Sequence, residues 1–449
     1  MPMLSPTLKL VLHKTLPLTM GVFAIMLVQL VDSIFIGMLG INELAVQGVT
    51  LPFQTAIIGL QVGIGVAATA IISQACGAKD TTKSTSTATM TVTLGTSLVA
   101  LICVGLWALK GPILAAFVTE DVSSSHFQIL QDIFNSYWPF WLLSATSVAA
   151  LYLVTCVFRA NDDTKTPGQM FFLASVINLI LDPLFIFTFD MGIVGAAVAT
   201  TTGYAFCAVY MLLKAKAKHW FNAISDSLNR FNYLIELAQV SLATTLNQLL
   251  PAISAFTCMV LISRISTNAM AFWSLLTRME SFLLVFTLAL TMSVPPMIGR
   301  YLGEKQPEKI AALLTTTAKF LLFFHLTMAL VIATSSSLLI PFISQEPTIQ
   351  DWLSTALWVI PFSYAPLGLC MLVVSVLNAL GVAKQALQVS CVRLIVFYIP
   401  AIWIGASTGE TLNAVFAAAV ANILAGTYAW YRLRLYMRTP EPCKQAIEI

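Results

Sequence analysis

The sequence predicts an all-α membrane protein, with twelve transmembrane helices in two pseudo-symmetric halves of six. Three observations carry this prediction. The composition is too poor in charge for a protein surrounded by water, twelve apolar runs have spanning length, and the lysines and arginines between those runs are distributed very unevenly.

Of 449 residues, 58% are hydrophobic and 10% are charged. A soluble domain carries about 25% charged residues. A chain this apolar cannot coat its surface with polar groups, but in a lipid bilayer it does not need to. The net charge of +3 is small and no basic patch is interleaved with aromatics, so nucleic acid is not an expected partner. The first apolar run contains Asp32 and leads into further runs without a small-residue cleavage site, so no cleavable signal peptide is expected. The eight cysteines lie mostly inside apolar runs and no two have CxxC spacing. They read as small buried hydrophobes, not disulfides or metal ligands. No metal and no cofactor is expected.

A spanning helix needs about 20 largely apolar residues. Such runs lie near 15–38, 46–73, 88–117, 133–157, 168–189, 192–213, 234–262, 270–300, 310–343, 353–379, 386–406 and 411–436. Polar, Gly- or Pro-containing punctuation separates them, as at 77–80, 161–167 and 303–307. Several runs exceed the minimum, which suits tilted or bent helices.

Lysine and arginine collect on the cytoplasmic side of membrane proteins. With both termini cytoplasmic, 18 of the 23 basic residues fall inside, and only Lys110 and Arg264 fall outside. Arg278, Lys319 and Arg393 lie within spans. The outside loops carry acids: Glu43, Glu120, Asp121, Asp190, Glu346, Asp351 and Glu410. A missed or extra helix near the middle would scramble this split. The longest basic loop, 214–233, divides an N-terminal lobe (1–218, helices one to six) from a C-terminal lobe (219–449, helices seven to twelve).

The halves align weakly. At an offset of 226, Asn42, Ala45 and Gly77 meet Asn268, Ala271 and Gly303. At an offset of 219, Phe-Arg-Ala-Asn-Asp-Asp-Thr-Lys at 158–165 meets Leu-Asn-Ala-Leu-Gly-Val-Ala-Lys at 377–384. An even number of helices per half gives parallel repeats, a pattern of transporters with a site between two bundles.

Ionisable groups at membrane depth are costly and are candidates for function. Asp32 sits deep in the first span and Asp182 in the fifth. Asn178 precedes Asp182 by four residues, so the two share a helical face. Two carboxyls and an amide facing one cavity suit a proton, a sodium ion or a cationic substrate. Asp32 has no cation near it in sequence, and burial without a counter-charge is the condition under which a carboxyl exchanges protons near neutral pH. The alternative is that each acid caps a helix or braces a loop, and Asp182, before Pro183, is the better case for that. Glu280 in the eighth span either binds cationic substrate or bridges to Arg393 in the eleventh. Arg278 is only two residues away and points elsewhere. His325 in the ninth span reads as a hydrogen-bonded packing residue. Tyr137, Gln54 and Thr200 are further cavity candidates. Pro17, fifteen residues before Asp32, removes a helical hydrogen bond and permits a hinge.

These residues resemble the multidrug and toxic compound extrusion (MATE) family. The matching stretches are Pro17 to Ala45, centred on Val-Asp-Ser-Ile-Phe-Ile-Gly-Met-Leu-Gly; Phe158 to Pro167 with Asn178, Asp182-Pro183 and Gly195 to Thr200; Arg278-Met-Glu280 with Pro295 and Gly303; and Leu377 to Pro400. Together they span the whole chain. The resemblance implies a V-shaped pair of six-helix lobes. It also implies export of amphipathic, often cationic compounds in exchange for inward protons or sodium. The sequence looks most like the DinF-like bacterial branch, in which an Asp on helix one and an Asn/Asp pair on helix five hold the coupling cation. Those roles carry over to Asp32, Asn178 and Asp182, and Tyr137 and Thr200 fall at accessory cavity positions. The NorM-like branch has a carboxylate on helix seven. Here that helix reads Asn247-Gln248-Leu-Leu-Pro251, without a mid-helix acid. This departure favours protons in the first lobe over a second-lobe sodium site.

The expected function is therefore a monomeric multidrug antiporter of the bacterial inner membrane, driven by H+ with Na+ as the alternative. A lipid-linked precursor flippase of the same superfamily is a second possibility, disfavoured by the few intramembrane cations. An integral membrane enzyme is disfavoured too. Asp162-Asp163-Thr-Lys-Thr lacks the last acid of a DDxxD magnesium site, and no nucleophilic triad, HExxH or phosphate loop is present.

Overall fold

The computed structural model describes residues 5–117, 124–221 and 227–438. Of the residues named above, Glu120 and Asp121 lie outside them. The described residues are helical throughout, with no strand among them. The spans are α1 (Pro6–Leu39), α2 (Ile41–Gly77), α3 (Thr81–Ala108, followed by a short helix Lys110–Phe117), α4 (Ser124–Ala160), α5 (Lys165–Pro183, running on as a wide π-helical turn Leu184–Thr188) and α6 (Gly192–Ala217). The second half repeats the count with α7 (Ser227–Ser263), α8 (Thr267–Leu283 and Val285–Gly303), α9 (Pro307–Ile343), α10 (Pro347–Ala379), α11 (Ala383–Cys391, a π-helical Val392–Tyr398, then Ile399–Ser407) and α12 (Thr411–Arg438). Among the described residues eleven helices are long and apolar enough to cross a membrane, and the two parts of α8, bent by 43°, make a twelfth span.

Side-chain caps start two of the spans. Asp80 precedes α3 and its side chain accepts the Lys83 N–H at 2.9 Å; Ser266 does the same for Ala269 ahead of α8 at 3.0 Å. Pro307 and Pro347 stand in the first turns of α9 and α10, where a missing N–H costs nothing.

The repeat seen in the sequence recurs in the backbone. Lys79 and Lys305 both adopt left-handed φ, at 59° and 57°, and close matching caps. In the first cap Asp80 N donates to Ala75 O, and in the second Gln306 N donates to Tyr301 O, both at 2.9 Å. These positions differ by 226 residues. At the offset of 219, Asp162 and Gly381 share the left-handed conformation, and Asp163 N to Phe158 O matches Val382 N to Leu377 O, both 3.0 Å. Turn geometry is thus conserved between halves whose apolar sequence has drifted.

The chain forms two compact units, one of Leu16–Cys76 and Asp80–Thr245, the other of Met1–Thr15, Gly77–Lys79 and Leu246–Ile449. In the first unit, α4 supplies an aromatic column: Phe134 stacks on Trp138 at 4.8 Å, Trp138 on Trp141 at 5.1 Å, and Phe53 of α2 meets Trp138 edge-on at 5.4 Å. The Trp138 indole donates to Leu106 O at 3.2 Å, so the ring's one polar atom is satisfied. This column fixes the rotation of α4 and with it the direction of neighbouring Tyr137. In the second unit α10 is the central helix, buried along most of its length against two apolar clusters. Large apolar side chains such as Leu101 and Phe256 remain exposed, at 68% and 72%, as a lipid-facing surface requires. In lipid such cores are held by close van der Waals packing, since leaving the bilayer is no gain for an apolar side chain.

Candidate coupling site in the first half

Asn178 and Asp182 stand on consecutive turns of α5, where the helix is still regular. Both are buried, with 1% and 0% exposure. The Asn178 amide Nδ2 donates to Asp182 Oδ1 at 3.2 Å and to Thr200 Oγ1 of α6 at 3.1 Å. Thr200 passes its own proton back to Ala196 O at 3.0 Å, which leaves its oxygen free to accept from the amide. The amide orientation is thereby set: nitrogen toward the acid and the hydroxyl, Oδ1 away. Asp32 of α1 brings its carboxyl within hydrogen-bonding reach of the Asp182 carboxyl. Tyr137 of α4 lies within electrostatic range of both acids, and Tyr204 of α6 within range of Asp32.

Three acceptor oxygens in this cluster, Asp32 Oδ1, Asn178 Oδ1 and Asp182 Oδ2, are buried without a hydrogen-bond partner among the described residues. Orphaned buried acceptors are expensive, and a proton or a small cation is the species that satisfies several at once. Two carboxyls this close share their charge state, because a second negative charge beside the first is strongly disfavoured.

The structure thus brings together Asp32, Asn178, Asp182, Thr200 and Tyr137. Gln54, half-buried on α2, is not among the groups joined to them. Pro17 lies inside an uninterrupted α1. Asp182 is no helix cap, being bonded from within its own helix. Tyr204 escaped the sequence reading. Its signal was available: it follows Thr200 by four residues and so shares its face.

A family model described as MatE matches residues 17–184 and 243–404. The chain belongs to the MatE family. Two solved structures of the Vibrio cholerae MATE transporter VcmN, one of an aspartate-to-asparagine mutant and one in the bent form, are 39% and 40% identical to it. They cover 97% and 96% of this chain and 98% and 97% of their own, with TM-scores of 0.92 and 0.90. A Shewanella oneidensis protein named FAD transporter is 26% identical over 98% of this chain and 96% of its own length. A Staphylococcus aureus protein named multidrug export protein MepA is 24% identical over 66% of this chain and 64% of its own. MatE proteins are multi-pass membrane transporters of small molecules, not enzymes.

The second half of this MatE protein holds a different polar group. Glu280 lies on the first part of α8, four residues before the bend at Leu284. It is within electrostatic range of Arg393, Tyr364 and Tyr398. Arg393 occupies the π-helical part of α11, and its Nε has no hydrogen-bond partner among the described residues. Among the described residues Glu280 and Arg393 therefore feel each other's charge without a direct ion pair. Beyond the bend, Thr287 and His325 form a buried 2.6 Å hydrogen bond against Gly368. His325 is thus a packing residue of the α8–α9 contact.

Proposed function

We propose that this chain is a secondary active exporter of amphipathic, cationic compounds, driven by inward movement of protons, and that Asp32, Asn178 and Asp182 are its coupling site. The supporting observation is the meeting of two carboxyls around an oriented amide, with three acceptor oxygens that lack hydrogen-bond partners among the described residues. In this scheme Asp32 takes a proton from the acidic exterior and loses its charge. Its contacts with Asn178 and Asp182 change, α1 bends near Pro17, and the first-half pocket contracts and expels substrate. Tyr137, Thr200, Gln54 and Glu280 contribute to the substrate path. The lobes work as halves 1–218 and 219–449, in a monomer of the bacterial inner membrane with both termini cytoplasmic. The same oxygens suit Na+, which is the alternative coupling ion.

The test is transport of an amphipathic cation such as ethidium by reconstituted vesicles under a pH gradient or a sodium gradient imposed separately. Wild type is expected to respond to the pH gradient, and Asp32→Asn to have lost that response while still folded. Full activity of Asp32→Asn would sink the coupling assignment, and a response to sodium alone would replace the ion.

A second substrate reading has its own support. The relative matched along nearly its whole length is named for FAD, whereas the multidrug relative matches over two thirds of this chain. Vesicles supplied with FAD and with ethidium in parallel distinguish the two, and FAD export without ethidium export would overturn the cationic substrate class.

A further inference from the structure

Helix α1 lies along α5 at an almost fixed register. A Cβ built on Gly168 would collide with the backbone of Pro17 and come 2.9 Å from Leu18 N. One built on Gly21 would come 2.7 Å from Gly168 O and 2.9 Å from Phe171 Cβ. Higher up, Asp32 meets Asp182, and Phe35 meets Phe187 with ring centroids 6.0 Å apart. The pairs 17 with 168, 21 with 168 and 171, 32 with 182 and 35 with 187 keep a separation of 147 to 152 positions in sequence. The two helices therefore run parallel and side by side over this whole stretch. From Gly21 to Asp32 is eleven residues, and from Phe171 to Asp182 is also eleven. Both intervals are regular α-helix, with a rise of about 16 Å. The two acids reach the same depth because the two helices start from a common point.

We propose that Gly21 and Gly168 are positioning residues that set this register, so that the Asp32 and Asp182 carboxyls meet at one level. This deepens the coupling role proposed above and rests on it. The contact is backbone on backbone, so no flexible side chain absorbs an added methyl group. A slip of one residue would move Asp32 by about 1.5 Å and turn it by about 100°, enough to separate the carboxyls. The seat also lies beside Pro17, where α1 lacks one internal hydrogen bond. It holds the lower part of the helix while the part carrying Asp32 moves. The competing account is plain packing, since small residues at close helix crossings are common in membranes.

The test uses the full-length protein with Gly168→Ala, Gly21→Ala and, as a control on the same helix, Gly37→Ala, whose Cβ would meet nothing within 4 Å. The readouts are ethidium binding in detergent, pH-gradient-driven ethidium transport, and the pH profile of that transport. Gly168→Ala and Gly21→Ala are expected to bind ethidium as wild type does, to lose transport about tenfold or more, and to shift the pH profile by about one unit. Gly37→Ala is expected to match wild type. In an Asp32→Asn background the seat substitutions should change nothing further. Loss of ethidium binding by the seat variants, in the wild-type or the Asp32→Asn background, would mean packing alone and overturn the proposal. If Asp32→Asn is inactive while the seat variants keep the wild-type pH profile, the register proposal fails and the coupling site stands. If Asp32→Asn keeps its pH-gradient response, the coupling site itself fails. Should Gly168→Ala not fold, Gly21→Ala decides by the same readouts.

Discussion

Helices α5 and α11 are counterparts in the two repeats, and each contains one wide π-helical turn, but at different heights. In α5 the helix stays regular through Asn178 and Asp182, and the wide turn follows at Leu184–Thr188. In α11 it occupies Val392–Tyr398, which the offset of 219 maps onto positions 173–179. Phe397 then stands where Asn178 does, and Ala401 where Asp182 does. A π-helical turn replaces the i to i+4 hydrogen bond by i to i+5, so residues four apart no longer stack on one face. The first half keeps the regular turn that lets an amide and an acid meet; the second spends its irregularity there and carries Arg393 instead. The difference teaches that the fold is doubled while its acid–amide chemistry belongs to one half.

This comparison breaks most easily at the acids. Asp182→Ala is expected to lower proton-driven transport by about a hundredfold or more, whereas Glu280→Gln should cost less than about fivefold. Equal losses in vesicle transport would remove the asymmetry. A smaller effect sharpens the first-half geometry. Thr200→Val withdraws the acceptor that orients Asn178, a change of about 1 to 1.5 kcal/mol, or roughly a tenfold loss of transport at constant ethidium binding. If instead binding falls and coupling is unchanged, Thr200 belongs to the substrate path.

In the second half, His325→Leu strands Thr287 in an apolar contact. It should destabilise the protein by about 1 to 3 kcal/mol, with much of this recovered by adding Thr287→Val. Thermal melting measures the stability, and an altered pH profile of transport would show that His325 is more than packing.

The smallest effect is expected at the turn between α4 and α5. Burial alone would raise the Asp163 carboxyl, but the Thr166 N–H and hydroxyl, and the Lys218 ammonium 3.4 Å away, together hold it below the ordinary carboxylate range. An acid lowered in the folded state stabilises at neutral pH, and that contribution fades as pH falls through the folded-state value. Asp163→Asn should therefore cost about 0.5 kcal/mol at pH 7, and the gap between the two melting curves should close on acidification. A gap that widens in acid would reverse the sign of the assignment.

Much of this was legible in the sequence for reasons that do not depend on folding detail. Span length is set by bilayer thickness, so the spans are written linearly along the chain. The pairing of Asn178 with Asp182 was legible too, because the α-helix repeat places residues four apart together. Tyr204 needed only that rule applied once more. The charge environment of Glu280 and the bend at Leu284 were not legible, because each depends on which helices pack beside α8.

By itself, then, the sequence determined the twelve spans, the repeat and the short-range pair on α5, all of which follow from periodicities inside one helix or from the membrane's own dimensions. Only the tertiary structure decided that Asp32 meets Asp182, that Thr200 orients Asn178, and that α11 loses its regular turn where α5 keeps it. Those depend on how far one helix is slid and rotated against another. Here that is set by contacts such as Gly168 on Pro17, between residues 151 positions apart, which no local pattern encodes.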